Sequence, residues 1–196
     1  MTLESYLSLN PKKYLIFDLD GTIAKLNMDW NGYRRTFWNM IASFDKPLSI
    51  EIAFAPKTSF RLGNEAIRRH GKKAKQIIND FVEKWETTHL PGYTPNPDLI
   101  NFIKTQKQYE YFLWSNQSRK AIEDLLVKEG LKECFKLILT RDNLTYVKPD
   151  PQGFDLIFKT GTNKKDYLLI GDLWADRQAA KAAGIDFFLE KYFKKV

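Results

Sequence analysis

From residue 98 to residue 189 the chain alternates short apolar runs with amphipathic stretches, and this alternation restricts the fold more than any other feature of the sequence. The runs are Tyr109 to Trp114, Lys136 to Leu139, Tyr167 to Ile170 and Asp186 to Leu189; a further one, Tyr14 to Phe17, ends at Asp18. Helices are expected near Asp98 to Lys107, from Ser118 to Glu129 with Gly130 as the stop, after Pro149 and Pro151, and from Trp174 to Ala183 with Gly184 as the stop. A run such as Tyr14-Leu15-Ile16-Phe17, apolar at every position, reads as a strand buried on both faces. Strands alternating with helices connect in parallel, so the expected class is α/β: a Rossmann-like parallel sheet with helices on both faces.

Residues 23–92 break the pattern. They carry apolar residues at helical spacing, first Tyr33, Phe37 and Ile41, then Ile77, Ile78, Phe81 and Trp85, with interruptions around Pro47 and Pro56. The Pro-rich stretch from Leu90 to Pro97 reads as a hinge. The expected organisation is an α/β core of residues 1–22 and 93–196 carrying an inserted α-helical unit at 23–92. A chain of 196 residues suits one core with a modest insertion, and 43% hydrophobic residues exclude a disordered or fibrous class. No apolar run approaches the roughly 20 residues of a membrane span, and Met1 to Lys13 lacks an apolar signal core, so a soluble cytoplasmic protein is expected. The single cysteine, Cys134, has no partner for an internal disulfide or a zinc knuckle.

Net charge is +7, and residues 23–92 hold 12 basic and 7 acidic side chains, with Arg68, Arg69, Lys72, Lys73 and Lys75 bunched together. Such a chain attracts anions. In a parallel α/β sheet reactive groups collect beyond the carboxyl ends of the strands, where loops are free and helix N-termini offer unpaired amides. The first run ends in Asp18-Leu19-Asp20-Gly21-Thr22, the next in Ser115-Asn116, and the fourth in Gly171-Asp172-Leu173-Trp174-Ala175-Asp176; Lys148 lies on the Pro-stiffened loop after the third. Asp18, Asp20, Asp172 and Asp176 would repel one another and raise each other's pKa unless a cation sits between them. A hard, oxygen-seeking ion such as Mg²⁺ resolves that conflict, and with a lysine and a hydroxyl alongside it the cluster suits phosphoryl transfer.

With these four motifs in this order, the chain resembles a haloacid dehalogenase superfamily phosphatase over residues 14–22 and 93–190, and over the insert by position only. The resemblance implies that Asp18 is the nucleophile forming an aspartyl-phosphate and that Asp20 protonates the leaving oxygen and then activates water. It implies that Ser115, with Asn116 beside it, and Lys148 hold the phosphate. Asp18, the Asp20 carbonyl, Asp172 and Asp176 would hold Mg²⁺. The fourth motif commonly has serine where Leu173 stands, so a helix-start hydroxyl is missing. Relatives that cleave carbon–halogen bonds lack the second aspartate, and ion pumps carry threonine there, which leaves phosphate ester chemistry. The insert resembles the helical cap of the phosphoglycolate phosphatase and β-phosphoglucomutase branch.

The expected function is Mg²⁺-dependent hydrolysis of a small phosphate monoester of the sugar phosphate, phosphoglycolate or nucleotide class. The alternatives are a phosphomutase, or a module acting on nucleic-acid ends through the basic run. A nucleic-acid partner is disfavoured because that run lacks interleaved aromatics, and no membrane partner is expected. Arg34 and Arg35, early in the insert, are candidates for substrate contact. Trp30, Tyr33, Phe37 and Trp38 are expected to pack within the insert, and His70 and His89 to be surface or packing residues without catalytic partners.

Overall fold

The computed structural model describes residues 1–53 and 58–194. In chain order the elements are α1 (Leu3–Leu9), β1 (Tyr14–Phe17), β2 (Ala24–Leu26), α2 (Trp30–Phe44), α3 (Lys46–Ala53), α4 (Thr58–His89) and β3 (Tyr93–Pro95). There follow α5 (Pro97–Thr105), β4 (Glu110–Trp114), α6 (Arg119–Lys128), β5 (Phe135–Leu139), α7 (Gln152–Ile157), β6 (Tyr167–Gly171), α8 (Trp174–Ala183) and β7 (Asp186–Leu189). Five strands form one sheet in the order β5-β4-β1-β6-β7, with every neighbouring pair parallel.

The period-two geometry of a strand sends Leu15 and Phe17 to one face of the sheet and Ile16 to the other, and both faces are dry. On the first face Leu15 and Phe17 join Leu3 and Leu7 of α1, Leu99 and Ile103 of α5, and Ile122, Leu125 and Leu126 of α6. On the second, Ile16, Trp114 and Leu169 pack on Phe154 and Ile157 of α7 and on Ala179, Ala180 and Ala183 of α8. The alanines of α8 let that helix lie close to the strands. Gly153 does the same for α7, because a Cβ there would stand 2.3 Å from the Trp114 indole.

Helices α2, α3 and α4 build a core of their own from Tyr33, Phe37, Ile41, Leu48, Leu62, Ala66, Ile78 and Val82. Pro47 falls in the first turn of α3, a position where its missing amide costs nothing; Pro56 lies outside the described residues. Helix α4 breaks at Gly71, whose φ of 61° and ψ of −141° are not helical.

Three features were not expected from the sequence. Helix α1 is only seven residues long with two buried anchors, too short for periodicity to show. Strand β2, inside the stretch read as helical insert, pairs antiparallel with β3, inside the stretch read as a hinge. The two connections to α2–α4 therefore run side by side as a ribbon. Among the described residues no helix is long and apolar enough to cross a membrane.

Candidate active site

Strand β1 is central: the chain runs from it to β4 and β5 on one side, then to β6 and β7 on the other. Loops leaving the carboxyl ends of β1, β4 and β6 diverge at this reversal and open a crevice. Asp18 directly follows β1, Ser115 follows β4, and Asp172 follows β6. Two glycines let the acidic turns meet. Gly21 has φ +83°, and a Cβ on it would stand 2.6–2.8 Å from the Asp172 carboxyl group; one on Gly171 would stand 2.6 Å from Asp176 Cβ.

The result is a buried cluster in which carboxylate oxygens of Asp18, Asp172 and Asp176 lie within 4.8 Å of one another. The Lys148 ammonium, 1% exposed, is spent completely: it donates to Asp18 Oδ1 at 2.6 Å, Asp176 Oδ1 at 2.6 Å and the Trp114 carbonyl at 2.7 Å. Burial works against its charge, but the Asp176 and Asp18 carboxylates outweigh burial and raise its pKa, so it stays protonated. Burial pushes Asp18 well above the carboxylate range despite Lys148, with Asp176 and Asp172 adding to the shift. Burial, then Asp176, raises Asp172 to about 6. Two ammonium groups, Lys148 and the more exposed Lys194, do not balance three carboxylates. Asp172 Oδ1 is buried and has no hydrogen-bond partner among the described residues, while Lys194 approaches the other oxygen at 3.5 Å. An all-oxygen set with surplus negative charge and an unused lone pair fits Mg²⁺.

Asp20 is not one of the three clustered carboxylates. Its Oδ1 accepts from the Leu26 amide at 2.8 Å, so the β1 turn and the β2 ribbon hold it in place. Burial raises it to about 7 against that hydrogen bond. The Ser115 hydroxyl is fully buried and donates to Gln117 Oε1 instead of facing the crevice. Gln117, two residues on, curls back to reach it and lines the crevice itself, as Asn116 does. The Asn116 side chain is committed to Lys148, taking its amide at 2.9 Å and donating to its carbonyl at 3.0 Å. It positions the lysine. Arg34 lines the crevice and bonds Asn31 at 3.3 Å; Arg35 is exposed and does not line it.

Several groups around the site were not singled out from the sequence. Asn64 of α4 clamps Val147 as Asn116 clamps Lys148, donating to its carbonyl at 2.7 Å and accepting from its amide at 3.0 Å. Arg141 bonds Asn79 of α4 at 3.2 Å and the Asn116 carbonyl at 3.2 Å. Glu86 of α4 accepts from the Ser118 amide at 2.9 Å and hydroxyl at 2.6 Å, at the start of α6. Nothing in sequence spacing signals these pairs; only a buried polar residue on an apolar helix face hints at them. The histidines do have partners: His70 meets Asp45 at 2.7 Å, and His89 stacks on Trp85 at 3.9 Å. Both are exposed and neither lines the crevice.

Glu86 makes a pH prediction. Burial raises its pKa, opposed by Arg141 and the Ser118 donors. The folded state then binds a proton that the unfolded chain has already released, so this group's contribution to stability declines as pH rises from the ordinary glutamate range, about 4.5, through the raised native value. Glu86→Gln is expected to gain on the wild type in thermal midpoint as pH increases across that window. A constant offset between the two melting curves at every pH would contradict it.

Comparison with known proteins agrees with this geometry. Phosphoglycolate phosphatase 1 of Pseudomonas aeruginosa is 28% identical to this chain, over 93% of it and 70% of its own length. Pyrophosphatase PpaX of Listeria welshimeri is 23% identical, over 86% of this chain and 78% of its own length. Among solved structures, a Lactobacillus plantarum protein superposes with TM-score 0.60 at 20% identity, over 92% of this chain and 86% of that one. L-2-haloacid dehalogenase from Xanthobacter autotrophicus superposes with TM-score 0.53 at 15% identity, over 90% and 76%. At these identities the superpositions speak for the fold alone. The family model for haloacid dehalogenase-like hydrolases matches residues 15–189, which takes in every strand of the five-stranded sheet but the first residue of β1, and the whole carboxylate cluster. The chain therefore belongs to the haloacid dehalogenase-like hydrolase family.

Proposed function

We propose that this protein is a cytoplasmic, Mg²⁺-dependent phosphatase that hydrolyses a small phosphate monoester through a phosphoryl group carried on Asp18. The observation that carries the reading is the buried Asp18–Asp172–Asp176 cluster bridged by Lys148. The Pseudomonas relative is named for hydrolysis of a phosphate monoester and the Listeria relative for hydrolysis of pyrophosphate, so both names support hydrolysis at phosphorus and the first supports a monoester. Asp18, Asp172 and Asp176, with the Asp20 carbonyl, would hold Mg²⁺, which when bound neutralises charge on the phosphoryl oxygens.

This chain's own groups do the rest. Lys148 fixes Asp18 in orientation and supplies positive charge beside the phosphoryl group. A carboxylate oxygen of Asp18 bonds to phosphorus as the bond from phosphorus to the leaving oxygen breaks. Asp20, with a pKa of about 7, still holds its proton near neutrality and gives it to that oxygen. The Asp20 carboxylate then takes a proton from water, whose oxygen bonds to phosphorus while the Asp18–phosphorus bond breaks, releasing inorganic phosphate.

We further propose that residues 23–92 act as a cap over the crevice, limiting water and choosing the leaving group. Three members of the basic run are engaged within the chain, while Lys72 and Lys73 are exposed. Arg68 pairs with Asp150 at 3.0 Å, Arg69 with Glu51 at 2.6 Å, and Lys75 donates to the carbonyls of Arg141 and Leu144.

Asp20→Ala is expected to slow hydrolysis of alkyl phosphates by about 10²–10⁴-fold, the usual worth of a general acid–base. Formation of the phosphoenzyme from p-nitrophenyl phosphate, whose leaving group departs unprotonated, should be largely spared. Equal losses of the first step on both esters would remove Asp20 from the acid role. The function itself is tested by phosphate release from a panel of monoesters with Mg²⁺ and with excess chelator. Activity confined to the Mg²⁺ arm is expected, and full activity in chelator, or none on any ester, contradicts it.

A further inference from the structure

The carboxylates form only the floor of the crevice, and its wall has a character of its own. The space above the floor is about 570 Å³, large for a two- or three-carbon alcohol. Aromatic rings from four separate parts of the chain line it: Trp30 and Tyr33 of α2, Phe60 of α4, Trp174 at the start of α8, and Phe193 beyond β7. Phe37, by contrast, is 2% exposed inside the α2–α4 core and makes no part of the wall. Trp30, Phe60, Trp174 and Phe193 are half-buried and line the crevice. Trp30 is set edge-on to Tyr33 with centroids 5.7 Å apart, and the Arg61 guanidinium covers the Trp174 ring at 5.0 Å. Packing accounts for Tyr33 and Phe37, and Trp30 also lies against the insert core and the sheet core, but Phe60, Trp174 and Phe193 come from α4, α8 and the turn after β7 to line the same space.

Exposed aromatic surface in a concave site is satisfied by another flat ring, which stacks without needing a specific hydrogen-bond pattern. We propose that the substrate's leaving alcohol carries a planar aromatic ring, held among Trp30, Phe60, Trp174 and Phe193 while its phosphate sits over Asp18. Nucleoside 5′-monophosphates and pyridoxal 5′-phosphate share this chemistry. The proposal rests on the phosphatase reading and deepens it by naming the substrate class.

The test compares benzyl phosphate with butyl phosphate, whose leaving groups are of similar basicity. The wild type is expected to favour the benzyl ester by about tenfold or more in kcat/KM, and that ratio should fall towards one in Phe193→Ala and in Trp174→Ala. Calorimetry with benzylphosphonate and butylphosphonate on Asp18→Asn measures the same preference without turnover, independently of whether the wall variants fold. Nucleoside 5′-monophosphates, pyridoxal 5′-phosphate and glycerol 3-phosphate complete the series. The faster of the two ring-bearing natural esters identifies the source of the ring, and ring-bearing esters no better than glycerol 3-phosphate overturn the proposal. Release from benzyl and butyl esters at equal kcat/KM, with equal binding of the phosphonates, overturns the ring pocket and leaves the phosphatase reading standing. Preferential binding of benzylphosphonate with no phosphate released from any ester supports the pocket and overturns the phosphatase reading instead.

Discussion

Asp18→Asn is expected to lower kcat on every phosphate monoester by about 10⁴-fold or more, the scale on which removal of a covalent nucleophile is felt. The amide has no anionic oxygen to bond to phosphorus. The same substitution should leave the cation-free fold as stable as the wild type or more so. Burial and the neighbouring Asp176 and Asp172 hold the Asp18 carboxyl well above its ordinary range, which means that its charge is a burden in the folded state. Lys148 keeps Asp176 and the Trp114 carbonyl as acceptors when Asp18 is neutral. Phosphate release and thermal melting on one preparation check both halves: near-wild-type turnover would remove Asp18 from the chemistry, and a collapsed melting transition would mark it as a structural residue.

Lys148→Met has the opposite signature, losing activity and stability together. The methionine fills much of the space but offers no donor, so Asp18 and Asp176 lose their 2.6 Å ion pairs while remaining buried. Stranding one side of a buried ion pair costs about 3–5 kcal/mol. The loss should shrink at acid pH, where the stranded carboxyls take up protons. Urea unfolding in chelator at two pH values measures it, and a stability loss under about 1 kcal/mol at neutral pH would show the pair to be far less buried than the structure has it. Turnover should fall by about 10²–10³-fold, as for loss of one preorganised cation or donor at a developing charge.

The fold was legible because its signals are local. Tyr14 to Phe17, Tyr167 to Ile170 and the glycine stops at Gly130 and Gly184 each announce an element within a few residues. The strand ends were legible for the same reason: Asp18 and Asp20 stand two residues apart, and Asp172, just after β6, stands four residues before Asp176 on the first turn of α8. At Leu173 no side chain caps the start of α8, and Asp176 Oδ2 accepts from the Leu173 amide at 3.0 Å. What could not be read depends on partners distant in sequence. Asn116 serves Lys148 across 32 residues. Asn64 reaches Val147 across 83. The partners of the basic run belong here too: sequence gives no sign that Arg68 meets Asp150 or that Lys75 meets two carbonyls. Strands β2 and β3, three residues each, are too short for an alternating pattern and exist because they pair with each other.

The central claim is that a phosphoryl group passes through Asp18, and rapid acid quench of a single turnover with a radiolabelled phosphate ester tests it most directly. The account predicts label on the peptide containing Asp18 within the time of one turnover, absent from Asp18→Asn and accumulating in Asp20→Ala with p-nitrophenyl phosphate. Phosphate released at the full rate with no label on that peptide at any time would contradict it.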